Sequence, residues 1–314
     1  MRRYVIRRLL SLGLSLLVAS ALIFSVVELV PGDPASFMLG TGAQPDTVAA
    51  LRHELGLDQP LPLRYAHWLG GVLTGDLGQS FTYKTPVAGM ILDRIQVSLP
   101  LALMALMLAM AIAFPIGMFA AARRGRAGDT LVMGATQIGI SLPNFWFAML
   151  LVLVFAVRLR LLPAGGFPGW DHPGAAFRAL ILPAIALALP QAAILARVLR
   201  SALIETLGQD YIRTARAKGL REKVVVYSHA WRNALLPVIT VLIGWFISIF
   251  SGSVIIENTF SMNGMGKLYW AGLSNLDFEL VLAIQMFYTI VALVGSLIMD
   301  ISYGLVDPRV RVDK

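Results

Sequence analysis

A short basic stretch, Gln209-Asp-Tyr-Ile-Arg-Thr-Ala-Arg-Ala-Lys-Gly-Leu220, separates two long apolar runs and determines how the chain is organised. Asp210 is placed to cap a helix, because an aspartate at the N-cap accepts a hydrogen bond from a free amide of the first turn. Arg216 and Lys218 fall in the last turn, where cations suit the helix dipole. Gly219 follows where a left-handed residue ends a helix. The stretch predicts a helix of about two to three turns, too short to be stable alone in water.

The apolar residues of this helix are few and recur at helical spacing. Tyr211, Ile212 and Ala215 follow that spacing, and Tyr211 and Ala215 are four residues apart on one face. A small apolar face with basic flanks indicates a helix completed by a protein partner, with Ala215 on the docking face. An ordinary solvated loop helix is the alternative, and the local pattern leaves both readings open.

The composition of the whole chain is that of a membrane protein. Of its 314 residues, 57% are hydrophobic and 14% are charged, whereas a soluble domain has about 25% charged residues. The net charge of +8 does not indicate nucleic-acid binding, because the basic residues lie in loops between apolar runs. Since cysteine is absent, disulfides, thiolate metal sites and a cysteine nucleophile are excluded.

Apolar runs long enough to cross a bilayer predict an all-α polytopic membrane protein with six transmembrane helices. The runs are 9–30, 97–122, 130–157, 179–199, 236–256 and 280–303. A retained first span is favoured over a signal peptide cleaved after Ala19-Ser20-Ala21, because the run continues through Val27. Gly139 and Pro143 are expected to break the third run, since proline removes a backbone donor.

Basic residues in the loops predict the orientation, because they mark the cytoplasmic side. They concentrate at the N-terminus, in the turn 123–126, in the loop 200–232 and in the tail, which places both termini in the cytoplasm. The expected segments are a first span at 1–30, an extracytoplasmic region at 31–96, a core at 97–304 with a cytoplasmic loop at 200–235, and a cytoplasmic tail at 305–314. Arg158, Arg160 and Arg178 do not fit this pattern.

No catalytic or metal site is predicted from the sequence. Asn263-Gly-Met-Gly-Lys267 superficially resembles a phosphate loop, but Ser261 and Leu268 stand where that loop needs Gly and Ser or Thr. A structural turn is the preferred interpretation, so this chain is expected to carry no ATP site. The histidines lack metal-ligand spacing, and Gly-x-Ser-x-Gly is missing.

Polar residues at membrane depth are candidates for a translocation path, or for hydrogen bonds between neighbouring helices. The candidates are Gln137, Ser141, Asn144, Gln191, Ser248 and Ser251. Prolines in three consecutive runs, Pro115, Pro143, Pro183 and Pro190, favour a bundle around a cavity. A secondary transporter driven by an ion gradient is the alternative functional class for such a membrane protein. It would need paired ionisable residues at the midplane and a repeat between halves, neither of which the sequence shows clearly.

The basic stretch also carries a family resemblance. Arg213-Thr-Ala-Arg-Ala-Lys-Gly219, followed by His229, Arg232-Asn-Ala234 and Pro237, resembles the cytoplasmic loop of bacterial ABC importer permeases, most closely those for dipeptides, oligopeptides and nickel. The superfamily motif is Glu-Ala-Ala, three residues and Gly. Ala215 and Gly219 match it, with Arg213 in place of the Glu and Thr214 in place of the first Ala.

The resemblance implies a type I ABC importer permease-like bundle in the bacterial inner membrane, with short peptides as substrate and nickel chelates or glutathione as second choice. Its implied partners are a second permease of the same fold, an extracytoplasmic binding protein and two cytoplasmic ATPases, which would carry the ATP and Mg. This chain is expected to bind no cofactor and no nucleic acid. The implied ATPase-coupling residues are Asp210, Tyr211, Ile212, Arg213, Thr214, Ala215, Arg216, Ala217, Lys218, Gly219, His229, Arg232 and Asn233.

Overall fold

The structure, a computed structural model, describes residues 2–29, 32–40 and 42–306. In this part of the chain the regular structure is helical, apart from an isolated bridge between Gln79 and Pro86. The prediction of an all-α membrane protein is confirmed. Helices suit such apolar runs because they satisfy their backbone polar groups internally.

The first half of the chain forms a long membrane helix, a group of short helices and a second long helix. A pair of helices that meet at a sharp bend follows. These helices are α1 (Arg2–Glu28), α2 (Pro34–Leu39), α3 (Pro45–Glu54), α4 (Leu61–Thr74), α5 (Val87–Ala122), α6 (Ala127–Ser141) and α7 (Asn144–Leu151). A π-helical segment, Val152–Arg158, continues α7. The second span therefore starts ten residues before the predicted position 97.

The second half alternates long helices with short ones. These helices are α8 (Pro173–Leu207), α9 (Asp210–Ala217), α10 (Glu222–Val224), α11 (Trp231–Gly252), α12 (Val254–Thr259), α13 (Met265–Ser274) and α14 (Phe278–Val306). A second π-helical segment, Val225–Ala230, joins α10 to α11. The predicted cytoplasmic tail begins at residue 305, but α14 continues through Val306, and residues 307–314 lie outside the described residues.

Five helices of the described chain are long and apolar enough to span a membrane, and the bent pair α6 and α7 makes a sixth. The two helices of this pair meet at 96°. Leu142 has an extended backbone with ψ 128, as expected for the residue before a proline, and Pro143 precedes the first residue of α7. The predicted break of the third span at Pro143 is confirmed, whereas the predicted break at Gly139 is wrong, because α6 continues through it to Ser141.

The chain divides into two compact units. The first contains Arg2–Ser98 and Asn263–Val294, and the second contains Leu99–Met262 with the residues from Gly295 onward. The core of the first unit is built from Phe24, Val27, Phe278, Val281 and Leu282. These side chains come from α1 and α14.

The α13–α14 turn is held by a buried carboxylate. Asp277 is fully buried, and it accepts hydrogen bonds from the Ser80 hydroxyl and from the backbone amides of Phe81, Thr82 and Leu280. Such a carboxylate is satisfied without a cation, because amide and hydroxyl donors surround it. It fixes the loop before α5 to the start of α14.

In the second unit, small side chains let α5 and α8 pack closely. A Cβ atom added at Gly117 would lie 2.8 Å from the Ala196 carbonyl oxygen. Ala188 and Ala192 of α8 are also buried. Small residues at helix contacts are typical of membrane proteins, where close backbone approach increases van der Waals contact.

Candidate functional site

Helix α9 confirms the predicted loop helix, but it begins one residue earlier than a cap at Asp210 requires. Gln209 is the N-cap, with an extended backbone at φ −72 and ψ 151, and it makes no side-chain capping bond. Asp210 is the first helical residue instead, and its carboxylate accepts a hydrogen bond from Arg213 at 3.3 Å. The predicted capping role of Asp210 is therefore wrong.

The end of α9 has the predicted glycine geometry. Gly219 has φ +77, in the left-handed region, and its amide donates to the Arg216 carbonyl oxygen at 2.9 Å. The amide of Leu220 reaches the Ala215 carbonyl oxygen at 3.4 Å. No atom lies within 4 Å of a Cβ added at Gly219, so the backbone alone demands glycine here.

The apolar face of α9 packs onto its own chain. Ile212 and Ala215 are buried against Val225 and Ala230, with Leu207 beside them. Ala215 is only 5% exposed. The expectation that Ala215 lies on an open docking face is therefore wrong, because the π-helical segment before α11 already covers it.

The outer face of α9 is polar and basic. Tyr211, Arg213, Thr214, Ala217 and Lys218 are exposed. Tyr211 is 41% exposed, and the Arg213 side chain is 75% exposed.

The turn after α9 is closed by an ion pair. The guanidinium of Arg216 donates to both oxygens of Glu222, at 3.1 and 2.6 Å. These hydrogen bonds lower the pKa of the Glu222 carboxyl below its ordinary value and raise that of Arg216. Because both side chains are substantially exposed, the pair orients the turn more than it stabilises the fold.

The predicted coupling residues further along the chain surround the same helix. Asn233 at the start of α11 donates its side-chain amide to the Tyr211 hydroxyl at 2.7 Å. His229 lies in the π-helical segment, where Nδ1 is 3.4 Å from the Val224 carbonyl oxygen. Arg232 is exposed. The structure thus brings α9, His229 and Asn233 into one compact loop domain on α8 and α11.

Sequence analysis missed an ion pair that joins the cytoplasmic ends predicted for α8 and α6. Arg200, near the end of α8, donates to both oxygens of Asp129 at 2.6 and 2.6 Å. Asp129 also accepts from the Gly125 amide at 3.0 Å. The sequence did offer one signal of this pair, because Asp129 is an isolated aspartate shortly after the basic turn 123–126. The pair connects the start of α6 to the last third of α8.

The predicted path residues are only partly brought together. Gln137 and Ser141 are neighbours on α6, where Ser141 donates to the Gln137 carbonyl oxygen and Arg197 of α8 donates to the Gln137 side chain at 2.9 Å. Asn144 is exposed just beyond the bend.

The remaining path residues lie on other helices. Gln191 is half-buried on α8, and Ser248 is exposed on α11. The side chain of Ser251 lies outside the described residues. The hydrogen bond from Arg197 to Gln137 joins α8 to α6 and fits the alternative of bonds between helices, whereas the Ser141 bond stays within α6. A path through these six positions stays a prediction.

An apolar cavity of about 280 Å³ lies beside the bend in the second unit. Thr136 and Gly139 of α6, Phe147 of α7 and Pro190 of α8 contribute to its lining. The Thr136 hydroxyl donates to its own helix, at the Met133 carbonyl oxygen. The cavity therefore offers hydrocarbon surface and little hydrogen bonding.

Comparison with known proteins covers almost the entire chain. Residues 113–312 match the family described as the binding-protein-dependent transport system inner membrane component, and residues 1–102 match the N-terminal region of such membrane components. A putative peptide transport system permease protein of Brucella abortus (strain 2308) is 41% identical over 95% of both chains. The glutathione transport system permease protein GsiC of Salmonella typhimurium is 36% identical over 99% of both chains. The chain therefore belongs to the family of binding-protein-dependent transport system inner membrane components.

Proposed function

We propose that this chain is the membrane-spanning permease subunit of an ATP-driven importer of short peptides. The observation that supports it most is the end-to-end similarity to a protein named a peptide transport permease, at 41% identity over 95% of both chains. The relatives give no support to the ion-gradient-driven alternative. Glutathione, a modified tripeptide, is the second substrate candidate because of the similarity to GsiC.

The subunit would work in a complex. A second permease of the same fold would complete the passage, and two cytoplasmic ATPases would bind ATP and Mg. An extracytoplasmic binding protein would deliver the peptide. The basic loops support an orientation with both termini in the cytoplasm, and this orientation would put α9 on the ATPase side of the inner membrane.

Helix α9 would transmit the motion of the ATPases to the spans. Its exposed basic face is available to a partner, while its buried face is fixed to Val225 and Ala230. A push on the outer face would therefore be transmitted through Ala215 to the start of α11, because packed side chains resist compression. The Arg200–Asp129 pair would pass the same motion to α6.

The proposal is tested by reconstituting this chain with its partner permease, the ATPases and the binding protein in liposomes. Uptake of a labelled dipeptide should require ATP on the ATPase side and should be competed by unlabelled dipeptides. Preferential competition by glutathione would identify glutathione, and not a dipeptide, as the preferred substrate. Uptake by this chain alone, driven by a proton gradient without ATP, would contradict the proposal.

A further inference from the structure

The first compact unit contains a polar cavity that the coupling role of α9 does not use. Its volume is about 550 Å³, within the range of roughly 300–1,000 Å³ that is typical of sites for small molecules. Residues of α1, α4 and α14 and of the connecting loops line it. A single side chain from a docked protein would leave most of this volume unfilled.

The walls of the cavity combine aromatic and charged side chains. Phe24, Trp68, Phe81 and Phe278 contribute aromatic surface. All four pack in or against the core of the unit, where Phe24 and Trp68 have ring centroids 5.8 Å apart. Aromatic rings tolerate a cation at their faces. The walls are therefore rigid and compatible with a positively charged ligand.

The charged side chains of the lining are unbalanced in favour of carboxylates. Four carboxylates line the cavity, from Glu28, Glu54, Asp76 and Glu279. Arg64 is already engaged, because it donates to both oxygens of Glu28 at 2.7 and 2.5 Å. Lys84, which is exposed, forms no ion pair within the described chain. The lining therefore has an excess of negative charge.

Glu279 is the carboxylate that most clearly lacks a partner. It is partly buried at the start of α14, and within the described chain its side chain accepts no hydrogen bond. The neighbouring Asp277 shows the contrast, since four donors surround it. The backbone also makes room for Glu279: Gly78 has φ +77, and a Cβ atom there would lie 2.8 Å from the Glu279 Oε2 atom. A partly desolvated carboxylate without donors is costly, and a bound cation would offset that cost.

We propose that this cavity binds the primary ammonium group of a small organic cation, with Glu279 as its main ligand. Asp76 adds negative charge, and the aromatic walls hold the apolar part of the molecule. A short peptide with a free N-terminus has this chemistry, and the choice of a peptide as the source rests on the proposed function. The cavity would then be a binding site on the permease itself, separate from the binding protein.

The test uses the intact transporter in lipid nanodiscs without the binding protein. Isothermal titration calorimetry compares alanyl-alanine amide, which carries one ammonium group, with its N-acetylated form, which carries none. The free amine should bind saturably and the acetylated peptide should not. Glu279→Gln should weaken binding of the amine by about ten- to a hundredfold, because it removes a charge-assisted hydrogen bond.

Two further variants control the result. Asp46→Asn removes an exposed carboxylate of α3 outside the cavity and should leave binding unchanged. Lys84→Asn removes the exposed cation and places a residue tolerated at φ +54, so it should tighten binding severalfold even where Glu279→Gln fails to fold.

The proposal is overturned by absence of saturable binding, by equal binding of the acetylated peptide, or by unchanged binding in both cavity variants. Weaker capture of the binding protein by Glu279→Gln, with no binding of the amine, also overturns it, because the carboxylate would then serve a protein. ATP-driven dipeptide uptake in matched liposomes separates the two proposals. Uptake without binding of the amine refutes only the ammonium site in the cavity. Binding of the amine without uptake refutes only the proposed transport function.

Discussion

At the scale of single residues, the loop domain depends on one glycine and one ion pair. Gly219 turns the chain out of α9 with a left-handed backbone in open space, and Asp129 receives the guanidinium of Arg200 in an almost fully buried position. The first sets the direction of the chain between α9 and the π-helical segment. The second connects α6 to α8 through residues that lie far apart in sequence.

Replacing Gly219 should impair transport through the backbone alone. Gly219→Val forces a β-branched residue into the left-handed region, at about 1–2 kcal/mol, and should reduce ATP-driven uptake while the protein still inserts. Gly219→Asn is the matched control, because asparagine tolerates this region and nothing lies within 4 Å of the added Cβ. Equal uptake by the two variants would mean that the turn geometry is unimportant.

Breaking the Arg200–Asp129 pair should destabilise the second unit. Arg200→Ala leaves a buried carboxylate with only the Gly125 amide as partner, so the midpoint of thermal unfolding should fall by several degrees. Asp129→Asn/Arg200→Ala should recover part of the loss. A double-mutant cycle with no interaction between the two substitutions would show that the pair is only a surface contact.

At the scale of elements, α9 is a short helix stabilised by tertiary contacts. Ile212 is fully buried and Ala215 nearly so, on the face toward Val225 and Ala230. This arrangement leaves the exposed basic face for a partner. It also means that a bulky charge at Ala215 would unseat the helix from its own chain before it touched a neighbour.

Truncating the buried face should loosen α9 selectively. Ile212→Ala removes a fully buried side chain, at a cost of about 2–4 kcal/mol. Hydrogen exchange across residues 210–217 in the intact complex should then accelerate. Thr214→Ala, on the exposed face, is the control and should leave exchange nearly unchanged. Equal acceleration in both variants would contradict the packing described for this helix.

The local features of α9 were predictable, and its contacts were not. The turn at Gly219 and the helical spacing depend on neighbouring residues, so the sequence alone reveals them. The burial of Ala215 depends on the π-helical segment folding back onto α9, and the Asp129–Arg200 pair joins residues 71 positions apart. Contacts of this kind come from helix packing, which a hydropathy pattern does not encode.

At the scale of the whole molecule, the six spans are predictable from hydropathy because each span needs its own apolar run long enough to cross the bilayer. The break at Pro143 follows from the missing backbone donor. The early start of α5 does not follow, because the segment 87–96 contains polar residues and is helical through its tertiary surroundings. The polar cavity lined by Glu279 could not be predicted from the sequence either, since its lining comes from distant parts of the chain.

The orientation of the molecule can be checked by single cysteines, because the natural chain has none. Thr47→Cys in α3 should react with a membrane-impermeant maleimide added outside intact spheroplasts. Arg124→Cys, in the basic turn, should react only after permeabilisation. Labelling of both positions from outside would contradict the six-span orientation derived from the basic loops.

Contact between α9 and an ATPase is the central claim, and site-specific cross-linking measures it most directly. Arg213→Cys places a thiol on the exposed face of α9, and Thr47→Cys provides the matched position expected on the opposite side of the membrane. In the assembled transporter, a short bifunctional maleimide should join residue 213 to an ATPase subunit, with a yield that changes when ATP binds, and should not join residue 47. A stable, ATP-hydrolysing complex with no cross-link from residue 213 to an ATPase would contradict the account.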